Sequence, residues 1–228
     1  MNRTEIIQQI IDRKQARNYL EIGVANGGNF YPMRVRRKVA VDPSFVVSPR
    51  FKIKWTIRNP CNLFAKFHET TSDRFFAEHD ASRRFDVVFI DGLHTYGQAF
   101  TDVENSLKVL CDGGVILMHD CNPKSAAEAH PAESFEHAGT LNLPGWTGEW
   151  CGDTWKAVCA LRRRDDLRVF VVDCDFGVGV VTRGKADDVL KLSDGDLEGM
   201  TYADLEKDRT GLLILKHASY FSEFLKAC

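Results

Sequence analysis

The alternation of apolar and polar positions divides the chain into strands and helices in turn. Ile6, Ile7, Ile10 and Ile11 recur at helical spacing and predict an amphipathic helix over 4–17, with Thr4 as a plausible N-cap. A short apolar strand follows from Tyr19 and ends in an acid, Glu21. It runs through Gly23, Gly27 and Gly28 into what should be a helix start near Asn29. Lys38 to Asp42 reads as the next strand, again ending in an acid. From Pro43 to Asn59 the prolines and the alternating Phe51, Ile53, Trp55 and Ile57 predict a loop or an edge hairpin. Leu63 to His68 reads as the third strand, and Ser72 or Asp73 would cap the helix that follows.

Phe85 to Ile90 is nearly continuous apolar sequence, as expected of a parallel strand buried on both faces, and it ends in Asp91-Gly92-Leu93-His94. Gly97 to Leu110 has helical spacing, with Val103, Leu107 and Leu110 inward. Gly113 and Gly114 then turn the chain into a fifth strand, Val115 to Met118, which ends in His119-Asp120. Residues 121–155 are broken by prolines and glycines and carry Trp146, Trp150 and Trp155 near their end, the composition of a binding loop or lid. Trp155 to Arg164 returns to helix. Leu167–Asp173 and Gly177–Arg183 form a hairpin, and 185–228 reads as helical. Strands alternating with helices give the α/β class, with four strand ends placing polar groups along one edge of a sheet.

Composition narrows the picture. The 228 residues suit one domain, 1–228, with an N-terminal helix (1–17), a substrate loop (121–155) and a helical extension (185–228). The net charge of -2 makes no electrostatic case for nucleic acid, and Arg34–Lys38 and Arg162–Arg164 read as solvated basic faces. No apolar run reaches membrane-spanning length, and no signal layout opens the chain. Seven cysteines without a C-x-x-C pair argue against a disulfide framework and a thiolate zinc site, so a cytoplasmic setting is expected.

The glycine spacing G-x-x-x-G-G is not the dinucleotide fingerprint. Glu21-x-Gly23 with Gly27-Gly28, then Val41-Asp42-Pro43, then Phe85–His94, then Gly113–Asp120 resemble, in order, the motifs of class I S-adenosylmethionine-dependent methyltransferases. The small bacterial O-methyltransferase-like branch, of the "methyltransferase domain 24" type, is the nearest likeness. The resemblance covers roughly 18–183, and Ala25 stands where many members have a second glycine. It implies a Rossmann-like, seven-stranded, mostly parallel sheet with an antiparallel last strand and helices on both faces. It also implies S-adenosyl-L-methionine as cofactor, held by Glu21, Gly23, Val24, Gly27, Gly28, Asn29, Asp42, Pro43, Thr71, Ser72, Asp91, Gly92 and His94.

Methyl transfer to a hydroxyl needs an acceptor in line with the methyl, a group to take the proton, and a dry site. His94 is the candidate base and Asp91 its neighbour on the same strand end. In magnesium-dependent relatives of catechol type the end of this strand and of the fifth bind the metal. Here those places hold Asp91, His119 and Asp120, so Mg²⁺ or another divalent cation is a candidate, imidazole suiting Zn, Mn or Fe better. The acceptor implied is a small molecule or a saccharide, with no nucleic acid or membrane partner, and a homodimer is the oligomer expected. The rival readings are a metal-independent O- or N-methyltransferase using His94, a nicotinamide-dependent oxidoreductase, and a non-catalytic cofactor-binding protein.

Overall fold

A computed structural model describes all 228 residues. It opens with α1 (Arg3–Lys14), β1 (Asn18–Ile22), β2 (Arg37–Asp42), α2 (Pro49–Arg58), β3 (Lys66–Glu69), α3 (Ser72–Glu78) and β4 (Phe85–Ile90). Then come α4 (Tyr96–Lys108), β5 (Leu110–Met118), α5 (Phe135–Thr140), α6 (Thr154–Leu161), β6 (Leu167–Asp173) and β7 (Val178–Arg183). The chain ends with α7 (Asp194–Gly199), α8 (Tyr202–Lys207), α9 (Arg209–Leu213), β8 (Leu215–His217) and α10 (Tyr220–Ala227). Strands β3-β2-β1-β4-β5 neighbour one another in that order, and so do β7-β6-β8. No helix is long and apolar enough to cross a membrane.

The residues fall into two compact units. The first comprises Met1–Gly92, Asp102–Leu117 and Leu225–Cys228, and the second Leu93–Thr101 and Met118–Phe224. In the first, β1 pairs in parallel with β2 and β4, and β2 with β3. Tyr19, Leu20, Val87, Val88 and Phe89 are fully buried, the two-sided burial that makes parallel strands read as apolar runs. The four isoleucines of α1 are buried as their spacing requires. The cap is Asn2, not Thr4: its side chain accepts from Glu5 N while Glu5 returns a bond to Asn2 N, a capping box. Thr4 instead donates to Asn29 Oδ1.

In the second unit β6 pairs antiparallel with β7, as the hairpin reading expects, and in parallel with β8. The chain therefore has eight strands, not the seven expected. The eighth is three residues inside a tail expected to be wholly helical, and Ile214 in the left-handed region turns the chain into it. Arg162, fully buried, ties this tail down by donating to the carbonyls of Gly211 and Leu212 and pairing with Asp188.

Five further expectations are corrected. The segment after Gly28 is a series of turns and not a helix. Pro49–Arg58 is a helix and not a hairpin: Ser48 caps it and Pro49 occupies its first position, but it buries no residue, so its apolar positions follow no face. The third strand begins at Lys66, because Pro60–Phe64 forms a 3-10 turn capped by Asn59. Gly113 and Gly114 lie inside β5, whose pairing starts already at Leu110. Thr71, not Ser72 or Asp73, caps α3.

Candidate active site

The turn after β1 is built by three glycines and one carboxylate. Gly23 sits at φ 79°, and a Cβ there would collide with the backbone of Asp91 and Gly92. Only glycine permits both the left-handed turn and that approach. Asp42 at the end of β2 closes the turn: its Oδ2 accepts from the amides of Val24 at 2.7 Å and Ala25 at 2.8 Å, and its Oδ1 accepts from Ser44 N at 2.8 Å. The free amides expected of a helix start are thus replaced by amides already held by an acid. A carboxylate offers about four acceptor sites, so Asp42 keeps capacity for a ligand hydroxyl.

Glu21 is 1% exposed. It accepts from Tyr19 Oη at 2.5 Å and from Asn29 Nδ2 at 3.0 Å. Burial, opposed by those hydrogen bonds, raises its carboxyl from 4.5 to about 8. Burial likewise pushes the Tyr19 hydroxyl well above its ordinary value, with Glu21 adding to it. Lys38 is buried beneath the same turn, donates to the carbonyls of Phe30, Tyr31 and Met33, and is pushed down to about 8 by burial. Asp91 follows β4, and Arg3 of α1 lies 3.8 Å from it. Gly28 N donates to Asn26, Pro43 is exposed, and Thr71 and Ser72 serve the start of α3.

The second unit gathers His94, His119 and Asp120. His94 Nδ1 lies 2.8 Å from the Trp150 carbonyl. A carbonyl only accepts, so Nδ1 carries the proton and donates. His94 Nε2 then faces Asp120 Oδ2 at 3.2 Å. In a neutral imidazole that nitrogen presents a lone pair to a carboxylate oxygen, so the pair calls for a proton on Nε2 or a shared cation. His119 Nδ1 lies 2.9 Å from the same oxygen, and its Nε2 lies 3.7 Å from Asp175 Oδ1. Asp120 adopts φ 57°, a left-handed conformation that aspartate tolerates at a cost of order 1 kcal/mol.

Sequence reasoning missed the loop groups that complete this cluster. Cys151 Sγ donates to Asp120 Oδ1 at 3.4 Å, and burial, then Asp120, raises its thiol far above the usual range, so it is a neutral donor and not a nucleophile. Trp150 packs on His94 at 5.2 Å, and Gly152 at φ 57° presses against the His94 carbonyl, where a Cβ would collide. Asp153 Oδ1 accepts from Tyr96 N at 2.6 Å, fixing the start of α4. The glycine-rich stretch before Trp155 was the available signal. Of the three tryptophans, Trp155 is core at 1% exposed and Trp150 is buried with its Nε1 on the His130 carbonyl. Trp146 alone is partly open, packed on Phe135.

Residues 20–121 match the family described as methyltransferase domain. This stretch, 102 of the 228 residues, resembles a methyltransferase domain. It begins with β1 and ends just after Asp120, so it contains Glu21, Asp42, Asp91, His94, His119 and Asp120. Among solved structures, a putative O-methyltransferase from Klebsiella pneumoniae is 11% identical over 79% of each chain, with a TM-score of 0.56. The O-methyltransferase TomG from Streptomyces achromogenes, involved in tomaymycin synthesis and solved with SAM, is 15% identical over 78% of each chain at 0.54. An O-methyltransferase from Bacillus cereus, solved with SAH, is 17% identical at 0.51, over 80% of this chain and 82% of that one. At these identities the likeness is one of fold. No curated protein matches the chain.

Proposed function

We propose that the methyltransferase domain uses S-adenosylmethionine to methylate a hydroxyl of a small molecule or saccharide, with a divalent cation assisting. The observation that carries the reading is that the matched domain holds every polar strand-end group in one stretch. The O-methyltransferases of the same fold solved with SAM and SAH support the cofactor.

The residues suit that cofactor chemically. Burial holds the Glu21 carboxyl up to about 8, and an amino-acid ammonium is the partner that would draw it back to carboxylate. Asp42 would take a ribose hydroxyl on its remaining acceptor site. The cofactor supplies a methyl on a positively charged sulfur. His94 takes the acceptor's proton on Nε2, while its Nδ1–H on the Trp150 carbonyl holds the tautomer and Asp120 stabilises the imidazolium.

The donor set also fits a divalent cation. Asp120 and His94 would hold it, His94 through Nε2, which in that case ligates and does not take the acceptor's proton. His119, turned to Asp120 and Asp175, would then orient Asp120 in place of ligating. When bound, such a cation lowers the proton affinity of a hydroxyl oxygen. The 3.2 Å His94–Asp120 contact equally suits a metal-free base, so that reading stands as the second one. The test is calorimetric titration with S-adenosylhomocysteine, followed by turnover on a panel of phenols, polyols and sugars with EDTA and with Mg²⁺, Mn²⁺ or Zn²⁺ restored. Absence of cofactor binding sinks the proposal. Turnover that survives EDTA selects the metal-free base.

A further inference from the structure

A cavity of about 1250 Å³ lies wholly in the first unit, at the amino ends of the strands whose carboxyl ends carry Glu21 and Asp42. Asn18, Arg37, Lys66 and Phe85, the first residues of β1, β2, β3 and β4, all line it. A strand of this length separates it from the cofactor residues by roughly 15 Å.

Its wall is basic and its counter-charges are spent. Arg36, Arg37, Lys66, Arg83 and Arg84 line it with two acids, Glu78 and Asp80. Glu78 is paired with Arg74 at 2.8 Å and Asp80 with Arg83 at 3.5 Å. Arg84 donates to the Leu110 carbonyl. Arg36, Arg37 and Lys66 thus face the same cavity as exposed cations without a carboxylate partner. Burial, then Lys66 and His79, push the His68 imidazole below its ordinary value. The floor is aromatic: His79 stacks on Phe85 at 5.3 Å, and His68 meets Phe75 edge-on at 5.1 Å. On the rim Phe64 is 72% exposed.

We propose that this cavity binds a nucleoside polyphosphate, its phosphates on Arg36, Arg37 and Lys66 and its base on the face of Phe64. Cations that line one cavity without carboxylate partners suit several phosphate oxygens and not a single carboxylate. An exposed ring beside them suits a flat base. The volume exceeds the roughly 300–1,000 Å³ of an ordinary small-ligand pocket, enough for an extended ligand. A polynucleotide is disfavoured because the chain as a whole carries a net charge of -2.

The experiment is calorimetric titration of the full chain with ATP, tripolyphosphate and a ten-nucleotide single strand, each with S-adenosylhomocysteine present to occupy any adenosine site elsewhere. ATP is expected to bind. Arg36→Gln and Lys66→Gln, both on exposed side chains, should each weaken ATP and tripolyphosphate by roughly three- to tenfold. Phe64→Ala should weaken ATP about tenfold and leave tripolyphosphate within about twofold. Unchanged affinity for S-adenosylhomocysteine in the variants would show an intact fold. No ATP binding at millimolar concentration, affinities indifferent to the two charge changes, or tenfold tighter binding of the single strand would each overturn the assignment. Failure to bind S-adenosylhomocysteine would bear on the cofactor reading alone, because the charge and ring variants still report on ATP at this cavity.

Discussion

Glu21→Gln isolates the cost of keeping an acid inside the sheet. The carboxyl is 1% exposed and burial raises it from 4.5 to about 8. Between those values the folded chain holds a proton that the unfolded chain has released. The stabilisation is fully present below 4.5 and is lost as pH rises through about 8. At about 1.4 kcal/mol per pH unit, that interval amounts to about 5 kcal/mol. Glutamine has the shape of the protonated acid and cannot ionise, and it can still accept from Tyr19 and Asn29. The variant should match the wild type near pH 5 and exceed it by about 5 kcal/mol near pH 9. Burial pushes Lys38 down to about 8 and the Glu21 charge raises it in part, so the variant also loses that support and the gain near pH 9 is an upper value. Urea unfolding from pH 5 to 9 reads the effect. A second arm uses the cofactor: if its ammonium binds Glu21, the wild type releases close to one proton near pH 7, seen as a buffer-dependent heat, and the variant releases none. Parallel stability curves would refute the buried, protonated acid.

Two further outcomes follow from the same geometry. His94→Ala should keep affinity for S-adenosylhomocysteine but lower turnover by roughly 10²- to 10⁴-fold, and near-normal turnover would remove His94 from the chemistry. Gly23→Ala places a Cβ against the Asp91 carbonyl at φ 79°, so a loss of at least about 3 kcal/mol, or roughly 6–12 °C in Tm, is expected by thermal unfolding, and a shift within a degree or two would contradict the close approach.

The buried strands were the most legible part of the chain. Phe85–Ile90 and Leu167–Asp173 read correctly to the residue because two-sided burial leaves an uninterrupted apolar run. Alpha-2 was lost because it buries nothing; Ser48-Pro49 announced a helix start, but the alternating Phe51, Ile53, Trp55 and Ile57 outweighed it. The missing helix after Gly28 was not visible, since glycine-rich turns precede helices and loops alike. At the site, Asp120 and His94 were found by position on strand ends. That His94 and not only His119 meets Asp120 depends on the long loop, whose Trp150 carbonyl turns the His94 ring, and backbone acceptors leave no trace in sequence. Cys151 passed unnoticed because its neighbour, Asp120, lies 31 positions away.

The grip of Asp42 on the Val24 and Ala25 amides has a kinetic consequence. A turn whose donors already have an internal acceptor does not wait for a ligand to order it. Its conformational entropy is surrendered during folding, so encounter with a cofactor meets a rigid surface. Association should then run without a slow ordering phase, and the Val24 and Ala25 amides should exchange with solvent slowly in the free protein and the bound one alike. In this chain an acid at the end of the second strand serves as the mould in which the turn after the first is cast.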